Sequence, residues 1–266
     1  MTESAAPPLP HLHVTVDGPV GRLTLDRPEK LNPLSTDVLE GIATAARWFD
    51  DQPDVRGVVL AGAGRSFSAG ADVGGFSGRP DDGRTVRDRA QAGTAMADAL
   101  EAMRAVTVAR LHGHCIGGGV VLASACDLRV AAASTSFAIP EVDLGIPLAW
   151  GGLPRLVREI GAPATRDLVM TCRTFDADEA ARLGLVQRVV DDDGLDAAVD
   201  ELVATLVDKP PLPLRLTKRG VDAVTEQMVG RSRTWSDVDV LATALADPGF
   251  GPAAERYLAR LADRRR

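Results

Sequence analysis

An α/β layer architecture is what this sequence predicts, and three observations predict it. Short apolar, β-rich runs recur at Val55–Ala61, Val106–Leu111 and Asp127–Ala133. The first two run into glycine-rich loops, and helical patterns resume after them. From about residue 196 no strand pattern is evident, and four helical stretches separated by Pro- or Gly-containing breaks take over. Strand, glycine loop and helix, repeated, describe a sheet whose ligands bind where loops leave strand ends. The domain organisation that follows is a poorly ordered Pro- and Ala-rich stretch at 1–10, an α/β core over 11–195, and a smaller helical region over 196–266.

Taken in order, His11–Val16 and Val20–Asp26 flank Asp17-Gly18-Pro19, a turn signal, and read as a hairpin. Pro28 and Pro33 bracket a loop. Ser35 is a good N-cap, and a helix is expected from there to about Asp50. Val38, Leu39, Ile42, Ala45, Ala46 and Phe49 fall on its apolar face. After the strand Val55–Ala61 comes a Gly/Ser-rich loop, Gly62–Gly75, then a polar and mobile stretch at 77–84. Helical pattern resumes from Thr85 to about Met103. The strand Val106–Leu111 leads into His112-Gly113-His114-Cys115-Ile116-Gly117-Gly118-Gly119 and an apolar helix, Val120–Ala125. The final four helices are expected near 196–208, 214–229, 233–246 and 252–264.

Composition bounds the function. The chain has 266 residues, 45% hydrophobic and 25% charged, which suits a soluble globular protein and excludes a mostly disordered one. A net charge of −7 and only 4% aromatics argue against a nucleic-acid partner, which needs a basic face and stacking platforms. The basic cluster Arg264-Arg265-Arg266 is short and reads as a solvated tail. Cys115, Cys126 and Cys172 are few and odd in number, which suits a reducing cytosol rather than a disulfide framework. No Cys/His spacing points to a metal site. The start of the chain lacks a basic stretch followed by an apolar run, and no apolar segment is long enough to cross a bilayer. The expectation is a soluble cytoplasmic protein with no membrane partner.

Two glycine loops leave the ends of buried strands. One is Ser66-Phe67-Ser68-Ala69-Gly70-Ala71-Asp72, the other Gly117-Gly118-Gly119 running into a helix. Small residues let a ligand approach the main chain, and two N–H groups converging on one point would make an oxyanion hole. The glycines alone serve equally well for tight strand–helix packing. Neither loop is a Walker A motif or a dinucleotide-binding Gly-x-Gly-x-x-Gly. Ser66 and Ser68 lack Asp/His partners in triad order.

The runs SFSAGAD, HGHCIGGG and FAIPEVDLGI, in that order, together with RPEKLNPL at 27–34 and TFDADEAARLGLVQRVV at 174–190, resemble the enoyl-CoA hydratase/isomerase (crotonase) superfamily over roughly residues 12–262. Each run is modest by itself, and the five in order are specific. The resemblance implies a crotonase-like spiral of ββα units with a helical C-terminal trimerisation region, assembled as a homotrimer or a dimer of trimers. It implies an acyl-CoA substrate and no separate cofactor, coenzyme A being part of the substrate thioester. The thioester oxygen would sit between the N–H groups of Ala71 and Gly118. The CoA adenine would lie against the 69–73 loop, which puts Ala69, Ala71, Asp72 and Val73 at the site, and against the main chain near Lys30 and Leu31. Lys30 could also meet a phosphate, with Arg22 and Arg27 as weaker candidates.

Hydratases of this family use two glutamates, one two residues after the glycine triplet and one in the Pro-Glu pair. Here the second is Glu141, and the first position is Val121. Hydration needs water activated at C3 and a proton delivered to C2, whereas moving a double bond from C3 to C2 needs one base that takes a proton from C2 and returns it to C4. Glu141 with Val121 therefore fits 3-enoyl-CoA to 2-enoyl-CoA isomerisation best, with apolar walls raising the carboxyl pKa. The alternatives are a hydratase working with a single glutamate, or a non-catalytic acyl-CoA-binding member. Dienoyl-CoA isomerases and aryl-CoA dehalogenases carry an aspartate where Ala149 stands. Asp143 is expected to point away from the site. Trp150 replaces a small residue and either narrows the acyl pocket or simply packs. His112, His114 and Cys115 read as structural.

Overall fold

A computed structural model describes residues 6–72, 84–230 and 237–263. Val73, residue 77 to residue 83 of the polar stretch, the first five residues and the terminal arginines lie outside the described residues.

The hairpin forms from β1 (Leu12–Asp17) and β2 (Val20–Leu25). Three further buried strands, β3 (Gly57–Gly62), β4 (Val106–Leu111) and β6 (Leu128–Ala132), add to it in parallel. The short β9 (Arg188–Val190) closes the sheet, whose order is β1-β2-β3-β4-β6-β9. Each central strand is buried on both faces, which is why these runs are continuously apolar rather than alternating. Strand β3 starts two residues later than the sequence implies, because Val55 N–H closes a turn onto Gln52 and Arg56 N–H bonds to Pro19.

Helices cover both faces. Val58, Leu60, Ala109 and Ala131 pack against α1 (Thr36–Asp50), α2 (Val86–Glu101) and α3 (Gly118–Ser124). Val59, Val108 and Val130, one residue out of phase, pack against α6 (Leu195–Val207). Ser35 caps α1 by accepting from Val38 N–H, and Thr85 caps α2 in a reciprocal pair with Asp88.

A second, three-stranded sheet lies apart from the first: β5 (His114–Ile116), β7 (Ser136–Ala138) and β8 (Phe175–Asp176). Between β7 and β8 runs α4 (Gly152–Thr171), broken at Gly161 where φ is +74°; α5 (Ala177–Leu183) follows β8. The remaining helices are α7 (Pro211–Met228), α8 (Asp237–Ala246) and α9 (Phe250–Asp263). Among the described residues no helix is long and apolar enough to cross a membrane.

The C-terminal helices divide in two. Helix α7 buries none of its residues. Helices α8 and α9 pack back on the 144–150 loop, joining Val238, Leu241, Phe250 and Tyr257 to Leu144, Ile146 and Ala149.

Candidate active site

Three loops are stitched together at one end of the main sheet. Leu34 N–H donates to Gly70, Ala69 N–H to Leu31, Ser68 N–H to His114 and Ile116 N–H to Ser68, all at 2.8–3.1 Å. The stitching centres on Asn32, which is buried with φ +54°. Its amide donates to the carbonyls of Ala63 and Ser66 at 2.9 Å and accepts from Arg27 N–H at 2.9 Å. Ser68 hydroxyl donates to Asn32 carbonyl at 2.8 Å and accepts from Gly70 N–H at 3.1 Å. Asn tolerates the left-handed backbone, and its side chain completes hydrogen bonds that the loops could not make among themselves.

These loops bring the two glycine runs face to face. A Cβ added to Gly70 would lie 3.4 Å from the nitrogen of Gly118 and 2.6 Å from the carbonyl oxygen of Ile116. Helix α3 starts at Gly118, two residues earlier than the apolar pattern suggests, because Gly117 turns the chain at φ +52°. Among the described residues no acceptor takes the N–H of Ala71 or of Gly118.

Glu141 stands beside that turn. It is 8% exposed, and a Cβ on Gly117 would come 2.5 Å from its Oε1. Its Oε2 is buried without a hydrogen-bond partner. Burial pushes the Glu141 carboxyl up to about 7, against a smaller lowering by a backbone N–H. Among the described residues it is the only buried carboxylate. Val121 is fully buried, its Cγ2 2.8 Å from where a Cβ on Gly152 would be, so an apolar contact fills the first family glutamate's position.

A cavity of about 490 Å³ joins these residues. Lys30, Leu31, Ala69, Ala71, Asp72 and Glu141 all line it, together with Gly117. Gly118, the next residue, does not. Lys30 is exposed at the mouth. Asp72 pairs with Arg27 at 3.1 Å, and Arg22 is drawn away to Asp200 at 2.6 Å. Three lining residues escaped the sequence reading: Arg65 at the mouth, and Tyr257 and Leu261 from α9. Arg65 sits just before SFSAGAD, which was a usable signal; the α9 residues carried none, since only the tertiary fold returns them to the site.

The neighbouring residues take other roles. Asp143 pairs with Arg260 of α9 at 3.2 Å, pointing away from Glu141. His112 bridges Arg110 and the carbonyl of Gly64 at 2.9 Å each, and burial lowers its pKa. Burial raises the Cys115 thiol, which keeps it protonated. Ala149 joins the apolar cluster of α8 and α9.

A sequence profile described as "Enoyl-CoA hydratase/isomerase" matches residues 16–248. The chain is 36% identical over 216 residues to the probable enoyl-CoA hydratase echA8 of Mycobacterium tuberculosis, covering 79% of this chain and 80% of that protein. It is 32% identical over 263 residues to the peroxisomal Delta(3,5)-Delta(2,4)-dienoyl-CoA isomerase of Arabidopsis thaliana, covering 92% and 94%. A crystal structure of an enoyl-CoA hydratase from Mycobacterium avium subsp. paratuberculosis superposes with a TM-score of 0.84 at 28% identity, covering 94% of this chain and 99% of that one. The fold is the crotonase fold, and the chain belongs to the enoyl-CoA hydratase/isomerase family.

Proposed function

We propose that the protein is a 3-enoyl-CoA to 2-enoyl-CoA isomerase with Glu141 as its one acid/base group. The observation that carries the reading is a single buried carboxylate in the cavity, with fully buried Val121 where a second would be needed. The other carboxylates lining the cavity are Glu29, exposed at the mouth, and Asp72, paired with Arg27.

The chemistry balances with one base. Glu141 carboxylate takes a proton from C2, and the C2–H electrons enter the conjugated system. Negative charge reaches the thioester oxygen, which in this reading meets the N–H groups of Ala71 and Gly118, neither of which has an acceptor among the described residues. Protonated Glu141 then delivers the same proton to C4, and the double bond has moved from C3 to C2. A carboxyl pKa near 7 serves both halves, because it is basic enough to accept the proton and acidic enough to return it. Lys30 and Arg65 line the cavity and would meet CoA phosphates, and the 69–72 loop the adenine.

The second reading is hydration with one glutamate, favoured by the names of the bacterial relatives. The dienoyl-CoA isomerase likeness extends over nearly the whole chain, but Ala149 stands where those enzymes resemble one another in carrying an aspartate, and Asp143, the acid nearest to Glu141 in sequence, is paired with Arg260.

The protein is further proposed to assemble as a homotrimer or a dimer of trimers. Helix α7 supports this, because Leu212, Leu216, Val221, Val224 and Met228 are each at least half exposed.

Mass spectrometry tests the activity. The protein is incubated separately with a short-chain 3-enoyl-CoA and its 2-enoyl isomer, with Glu141→Gln as control. The expected result is interconversion without added water and a drop in kcat of at least about a thousandfold in the variant. A product one water heavier would replace isomerase by hydratase. Full activity in Glu141→Gln would remove Glu141 from the reaction.

A further inference from the structure

The indole of Trp150 occupies a slot between two helices beside the reacting centre. A Cβ on Gly118 would lie 2.3 Å from its Cζ3, and a Cβ on Gly93 of α2 would lie 2.1 Å from its Cγ. The six-membered ring thus covers the first residue of α3, and the five-membered ring rests on α2. No side chain larger than hydrogen fits at either glycine while the indole is there.

The backbone that carries the indole is held from several sides. Trp150 has φ +61°, unfavourable for a bulky residue. Arg155, fully buried, donates to the carbonyls of Trp150 at 3.3 Å and Gly151 at 3.1 Å. Arg155 is in turn fixed by Asp98 at 2.8 Å and Glu101 at 2.7 Å, both on α2. Gly151 N–H donates to Asp237 at the start of α8 at 2.8 Å. The ring packs against both the main core and the apolar cluster of the C-terminal helices.

The consequence is read in the cavity. Its lining includes Gly117 and Glu141 yet stops before Gly118, which the indole covers. We infer that Trp150 sets the acyl-chain length the enzyme accepts, by filling the α2–α3 seam next to the thioester position so that only short acyl groups fit. This rests on the reading of the cavity as an acyl-CoA site, and it names the substrate class within that reading. A flat, rigid ring is suited to the task, since it cannot fold aside as a flexible aliphatic side chain can. Glycine is the informative replacement, because it removes the ring and is at ease at φ +61°.

Calorimetric titration with butanoyl-CoA and decanoyl-CoA tests the inference. These saturated thioesters have no double bond to move or hydrate, so the result does not depend on what Glu141 does. Wild-type protein should bind decanoyl-CoA no more than about twofold tighter than butanoyl-CoA. Trp150→Gly should bind decanoyl-CoA at least about tenfold tighter than wild type does, with butanoyl-CoA affinity within about threefold. An unchanged ratio between the two thioesters in the variant would overturn the inference, as would a wild type that already favours decanoyl-CoA tenfold. If Trp150→Gly does not fold, Trp150→Phe keeps one ring and should show a smaller shift in the same direction; no shift there would overturn it equally. Binding of both thioesters without turnover of any enoyl-CoA would remove the isomerase proposal and leave this test intact. Binding of neither would remove both.

Discussion

Glu141 holds its carboxyl group in a place where ionisation is costly, since one oxygen has no partner and burial is nearly complete. Its folded pKa is raised to about 7 from an ordinary carboxyl value of 4.5. The native state therefore binds this proton more tightly than the unfolded chain. Its contribution to stability is whole below pH 4.5 and is lost as pH rises through 7. Glu141→Gln has no such group. The variant should melt higher than wild type at pH 8, by up to about 3 kcal/mol in unfolding free energy, with the difference shrinking towards pH 5. Denaturant titrations at the two pH values check this, and an equal difference at both would refute it. At this scale the sequence was informative in patches. Glu141, Ala71 and the glycine triplet stood in runs whose residue types are distinctive. Asn32 did not stand out, because its importance lies in partners from a loop distant in sequence, the carbonyls of Ala63 and Ser66 and the hydroxyl of Ser68.

At the scale of elements, α4 carries the fastening of the site. Arg155 in its first turn links Asp98 and Glu101 of α2 to the carbonyls of the 150–151 turn. Arg155→Met keeps the bulk and removes every one of those donors, leaving two acids of α2 without this partner. The expected cost is about 3 kcal/mol in urea unfolding, accompanied by weaker acyl-CoA binding. A loss of stability with binding untouched would show that the turn holds its place without Arg155. The central strands and α1 were legible because their apolar residues recur at the periods of strand and helix over six to fifteen residues. The small sheet β5-β7-β8 was not, since strands of two or three residues carry no period. Helix α4 was not legible either, because Gly161 and Pro163 interrupt its pattern midway.

Across the whole molecule the unmatched surface is α7, whose Leu216 and Val224 are 56% and 58% exposed. Leu216→Asp combined with Val224→Asp should convert the proposed trimer to monomers with the helical content retained, measured by light scattering coupled to gel filtration. Wild-type protein running as a monomer would refute the assembly. The change to an all-helical C-terminal region was legible from composition, but its division of labour was not. Sequence does not show that α6 covers the back of the sheet while α8 and α9 return to the cavity. That return has a bearing on biosynthesis. A ribosome delivers the glycine loops and Glu141 well before Tyr257 and Leu261 of α9, which supply part of the cavity wall. A nascent chain therefore carries its carboxyl group in a half-built, wetter setting, where the environment that tunes it does not yet exist. The cavity wall is complete only once α9 has emerged, so the Glu141 carboxyl reaches its tuned setting only then.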